Sequence, residues 1–216
     1  MEHFEGIESY SVKHLPIVKA YADRLGLVEL VNHLVPSQME LPPGIFFLGM
    51  VLDTLSGRNP LYRLEHFFKE QDTELLLSKE VGYDSKAILE AYKDQYGIEQ
   101  DFGFLKDPVI VNSVFLKKPK RIEVLGLILL TSLLIWRLME RSMRQYVAKT
   151  GEKLPGWDRK PTDRPTSFMM TTKFMGIMVI KIGNERRLSK PLYSDQEAFL
   201  LALGIKPSWL IRPQPG

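Results

Sequence analysis

Tyr92, Gln95, Glu99 and Lys106 lie in the stretch AYKDQYGIEQDFGFLKDP, with two, three and six residues between them. At 100° per residue, all four fall within an arc of roughly 60° on one helix face. That face would carry a phenol, an amide, a carboxylate and an ammonium together. Two readings follow: an acid site with a cation beside it, or a solvated polar face with Glu99 in water. Without comparison the second is the commoner case, because polar faces are frequent and acid sites rare.

The pattern resembles the Tyr-x2-Arg-x3-Glu-x6-Lys signature of insertion-sequence DDE transposases, with every spacing kept and Gln95 in place of the Arg. The text IEQDFGFLKDPVIVNSVFLKKPKRIEVLGLILLTSLLIWRLMER is similar to the C-terminal part of that family's RNase H-like catalytic domain. SVKHLPIVKAYADRLGLVELVNHLVP and GRNPLYRLEHFFKEQDTELLL resemble the small helical domain that precedes catalysis in one branch.

The resemblance implies cleavage and transfer of DNA strands by two Mg2+ ions held on three carboxylates, which clamp the attacking and leaving oxygens. Glu99 would be the third carboxylate. Lys106 would lie against a DNA phosphate near the scissile bond, and Tyr92 would pack or hydrogen-bond along the backbone. Gln95 cannot supply the forked charge of the family's Arg.

Such a site also needs two earlier aspartates, each ending a strand of a sheet that with its helices takes well over about 100 residues. Only the short stretch around Val81 to Glu90 separates the helical part from the glutamate helix. Asp53 ends the apolar run FFLGMVLD and imitates a strand aspartate, but Pro42-Pro43-Gly44 before it and Ser56-Gly57 after it suit a buried helix. One carboxylate cannot hold two metals. The expectation is an internally truncated transposase, with Glu99 an incomplete metal site, no tightly bound Mg2+ and no strand cleavage.

The formal net charge of +3 hides an asymmetry. Residues 1–105 hold 9 Lys/Arg against 17 Asp/Glu, and residues 106–190 hold 18 against 7. A basic stretch beside an acidic one points to a polyanion partner for the second part. Lys106, Lys117, Lys118, Lys120 and Arg121 are the DNA-binding candidates, and Arg137, Arg141 and Arg144 repeat at helical spacing. For that last trio a solvated helix end matched to its dipole is an equal alternative. The partners expected are the element's terminal repeats and further copies, either of this chain or of intact transposase. The rival classes are a self-associating helical module built on VLGLILLTSLLIW and a non-functional relic.

Cysteine is absent, which excludes disulfides and thiolate metal sites and fits a reducing compartment, the cytoplasm by default. The acidic opening MEHFEGIESYSVKHLP has no apolar core segment, so no signal peptide is expected. The apolar run from Val124 to Trp136 is short against the roughly 20 residues of a membrane span. His3, His14, His33 and His66 lie at no ligand spacing.

The elements that must position these residues are mostly α. Helical spacing covers His14–Leu25 and Leu27–Val35, split by Gly26, and GIFFLGMVLDTLSG follows Pro42-Pro43. Leu61–Lys69 makes a fourth helix and Asp72 caps a short fifth, with no good strand in this part. The glutamate helix starts near Ser85, runs through Gly97 and Gly103 at about 1 kcal/mol each, and stops at Pro108. VIVNSVFL is extended, and a long helix spans about Ile122 to Lys149.

GEKLPGWDRKPTDRP is a linker or an ordered loop. A helix over Thr166–Gly176, a strand over Ile177–Ile182 and a helix from Ser194 complete the chain. Three units result: a helical domain at 1–82, a remnant of the catalytic domain at 83–150, and a basic loop with a helix-strand-helix tail at 151–216. The fold class expected is thus mostly α, a helical domain joined to an RNase H-like remnant that lacks its central sheet.

Overall fold

The structure, a computed structural model, describes residues 7–37, 41–56, 68, 70–77 and 119–212, without the side chains of 119–122 and 159. Among these residues the chain is mostly helical with a small antiparallel sheet.

Helix α1 (Leu15–Arg24) starts where the His14 carbonyl accepts from the Ile17 and Val18 amides at 3.0 and 3.2 Å. Pro16 sits in its first turn, where a missing N–H leaves no bond unmade. Gly26 at φ 60° gives the left-handed corner into α2 (Leu27–Leu34), a conformation that glycine adopts without strain. Helix α3 (Pro43–Ser56) then lies close on α2. A Cβ at Gly44 would stand 2.3 Å from the Val28 carbonyl oxygen, and the Gly44 amide donates to Asn32 Oδ1 at 2.8 Å. Only a glycine permits that approach.

Helix α4 (Thr73–Leu77) has the cap that the sequence predicts: the Leu75 amide donates to Asp72 Oδ1 at 3.0 Å. Helix α5 spans Pro119–Thr150, 32 residues with no proline after the first turn to interrupt it. After it, Leu154–Pro155 (β2) pairs with Pro161–Thr162 (β3), so the proline-rich stretch is an ordered loop. Thr166 caps α6 (Ser167–Phe174) by accepting from the Met169 amide at 3.2 Å. Helix α7 (Ser194–Leu203) starts at the Ser-Asp-Gln-Glu run, with Gln196 Oε1 accepting from the Tyr193 amide at 2.9 Å.

Two expectations need correction. The first part does contain a strand, β1 (Ile7–Tyr10), and the tail is helix, hairpin, helix, with β4 (Val179–Ile182) followed by β5 (Glu185–Leu188). Strand order is β1-β4-β5, all antiparallel, with Ile7 opposite Ile182 and Val179 opposite Leu188. Both missed strands are four residues long, β1 largely exposed and β5 alternating between exposed and half-buried positions. Neither shows an apolar alternation; pairing with β4 makes them strands.

Early and late segments share one core. A single buried cluster includes Ile17 and Val18 of α1, Leu48 and Leu52 of α3, Ile128, Ile135 and Met139 of α5, Phe174 of α6 and Phe199 of α7. Besides the β1–β4 ladder, Arg24 of α1 reaches the end of α7, donating to the Leu203 and Gly204 carbonyls at 3.0 and 2.7 Å. A cation there satisfies carbonyls that the helix leaves without amide partners.

Candidate nucleic-acid interface

The second half of α5 presents the basic face. Glu140 lies on its buried side, and its carboxylate is held by Arg144 Nη2 on Oε1 and by Arg137 Nη1 at 3.6 Å from Oε2. A buried carboxylate demands such compensation. Arg144 also donates from Nε to the Pro165 carbonyl at 3.3 Å, fastening the loop to the helix. Arg137 and Arg144 therefore have a structural duty while their side chains stay 68% and 50% exposed. Arg141 is exposed too, and makes no ion pair among the described residues.

Together with Gln145 and Ala148, these groups line an open cleft of about 330 Å³. Lys149, Lys153, Lys160 and Arg164 continue the exposed basic surface into the loop. Exposed acids are interspersed at Glu152, Asp158 and Asp163. The face is thus moderately positive, suited to phosphate contacts that carry no sequence information.

Of the residues singled out from the sequence, Tyr92, Gln95, Glu99, Lys106, Lys117 and Lys118 lie outside the described residues. Lys120 and Arg121 fall in the first turn of α5, and their side chains also lie outside what is described. Asp53 is in the last turn of α3, on a helix as its flanking residues require, and wholly buried. Neither of its oxygens has a hydrogen-bond partner among the described residues. Burial alone pushes its carboxyl up to about 7.

His14 is its counterpart. Burial lowers the ring to about 4, against a hydrogen bond to the Leu55 carbonyl that favours the proton. Since a carbonyl only accepts, Nε2 carries the hydrogen and donates at 2.8 Å, leaving Nδ1 bare in the core, with no partner among the described residues. Among the described residues no group of three His, Asp or Glu is placed to hold a metal ion, so their donor set does not fit a two-metal cage.

A second charged constellation was not legible in the sequence. Arg186 of β5, its side chain 3% exposed, forks onto Asp72, with Nε 2.6 Å from Oδ2 and Nη2 3.0 Å from Oδ1. Nη2 also donates to Glu74 Oε2 at 2.6 Å, which Lys181 approaches at 3.3 Å. Burial opposes the guanidinium charge, but the two carboxylates outweigh it and raise the Arg186 pKa. Chiefly through the Arg186 hydrogen bond, Glu74 is held below its ordinary value. With Arg186 and Asp72 buried and Glu74 and Lys181 at its partly exposed edge, this cluster is a fastener between α4 and the hairpin.

Residues 7–86 match a family described as Domain of unknown function (DUF4277). This domain is found in transposase-like proteins. No curated protein and no solved structure matches the chain. No helix among the described residues is long and apolar enough to cross a membrane.

Proposed function

We propose that the protein is a truncated insertion-sequence transposase that binds DNA and does not cut it. The match of residues 7–86 to a domain found in transposase-like proteins carries this reading. The Tyr92, Gln95, Glu99 and Lys106 pattern supports it further along the chain, as does the excess of 18 basic over 7 acidic residues in 106–190. On this reading α5 and the segments after it descend from an RNase H-like catalytic domain whose central sheet has been lost. Glu99 then stands without its two partner aspartates; Asp53, buried on a helix rather than ending a strand, supports this.

The role left is occupancy of DNA through Arg141 and its neighbours, with Lys106, Lys117, Lys118, Lys120 and Arg121 as further phosphate contacts. A protein holding the element's ends without cutting would damp transposition by the intact enzyme.

The test is fluorescence anisotropy with duplex carrying the element's terminal repeats, against scrambled duplex, at two salt concentrations. Binding should weaken with salt, and Arg141→Ala should reduce the slope of log affinity against log salt by about 1 for one lost phosphate contact. A folded protein that binds neither duplex sinks the reading. Mg2+-dependent nicking of plasmid by the pure protein, abolished in Glu99→Ala, would overturn the claim of inactivity.

A further inference from the structure

The first half of α5 buries one side and leaves the other bare. Leu125, Ile128 and Ile135 are in the core, while Val124, Leu127, Leu130, Leu133 and Leu134 are 45 to 66% exposed. At 100° per residue, Leu127, Leu130 and Leu134 form a stripe roughly 60° wide, with Val124 and Leu133 on its flanks. Half-exposed leucines in this number leave on the order of 500 Å² of contiguous apolar surface, at the upper end of what a monomer tolerates.

The charges on the stripe say what covers it. Glu123 is exposed at one end and Arg137 at the other, each two helical turns from Leu130. Glu123 has no ion pair among the described residues, and Arg137 reaches only a loose 3.6 Å to Glu140. We infer that the exposed leucine face of α5 pairs with the same face of a second copy, antiparallel about a two-fold axis at Leu130. Each Glu123 then meets the other copy's Arg137, whereas a parallel pairing would set Glu123 against Glu123.

The same axis brings each Leu134 over the other copy's Gly126, where a Cβ would meet nothing within 4 Å and the helix surface is open. One self-complementary patch used twice closes at two subunits. Two faces together reach the roughly 1,000 Å² that a stable dimer needs. This pairing meets the basic cleft only at Arg137, which lines its edge; the leucines of the stripe lie in the first half of the helix and the remaining basic residues in the second.

Light scattering coupled to size exclusion, on the full chain over a range of micromolar concentrations, tests it. The expected mass is twice that of the chain, falling on dilution. Leu130→Glu should shift dissociation by at least tenfold toward monomer, with a thermal midpoint that no longer rises with concentration and matches that of dilute wild type, because the side chain is not part of the core. Glu123→Arg should weaken the dimer, and adding Arg137→Glu in a Glu140→Gln background, which removes the buried carboxylate that Arg137 otherwise faces, should restore it. A monomer at every concentration, a mass growing past two copies, or a dimer indifferent to Leu130→Glu would each overturn the proposal. Failure of the double swap to restore the dimer would overturn the antiparallel arrangement.

Discussion

Arg186 and Asp53 are both charged groups buried in the same small protein, and their surroundings are opposite. Arg186 has two carboxylates in fork geometry and keeps its charge. Asp53 has no partner for either oxygen among the described residues and is pushed toward its neutral form. The difference teaches what burial does to a charge: with a matched partner it becomes a directional fastener, and without one it becomes a titrating group. The fastener joins α4 to β5 across 114 residues of sequence, while the titrating group sits inside a single helix.

The largest effect expected is at the fastener. Arg186→Met should lower stability by about 3–5 kcal/mol in urea denaturation, since it strands the Asp72 carboxylate in the core. Adding Asp72→Asn, which keeps the helix cap, should recover a good part of that loss. A single variant within 1 kcal/mol of wild type, on the order of a surface pair, would place Arg186 outside the stabilising set.

Next comes Asp53→Asn. Between pH 4 and 7 the folded protein holds a proton on Asp53 that the unfolded chain releases, so this group lowers stability as pH rises through that window. The amide variant removes the loss, a gain over wild type that grows to at most about 4 kcal/mol by pH 8, at about 1.4 kcal/mol for each pKa unit. Thermal midpoints across the range would show it, and a gain independent of pH would contradict the assignment.

His14 has the opposite sign. Its neutral ring in the fold, lowered to about 4, lets the unfolded chain hold the extra proton below pH 6.5, so stability falls as pH falls. His14→Gln, which can still donate to the Leu55 carbonyl, should relieve up to about 3 kcal/mol at pH 4. In the unaltered protein the two slopes largely cancel between pH 4 and 6.5, and the sharpest check is that each variant alone unmasks the slope of the other. Two flat profiles would show that folding shifts neither group's pKa.

What the sequence made legible was local chemistry. The Gly26 corner, the Asp72 cap, the long helix and the start of α7 each depend on residues within a turn of one another. Strands β1 and β5 did not show, because IESY and ERRL carry no alternation of their own and are defined by partners far along the chain. For the same reason Asp72 was readable as a cap but not as the partner of Arg186. On the candidate interface, the spacing of Arg137, Arg141 and Arg144 was visible, but the burial of Glu140 between two of them depends on which side of α5 faces the core. The Tyr92 to Lys106 face lies outside the described residues, so its geometry adds nothing to that comparison.

The pairing of Ile7–Tyr10 with Val179–Ile182 also sets a clock on synthesis. At about 5–20 residues per second, the first strand waits roughly 10 to 30 s on the ribosome before its neighbour is made. For most of that interval α1 to α3 lack α5, and for all of it they lack the hairpin. The sheet therefore closes only when nearly the whole of this sequence has emerged.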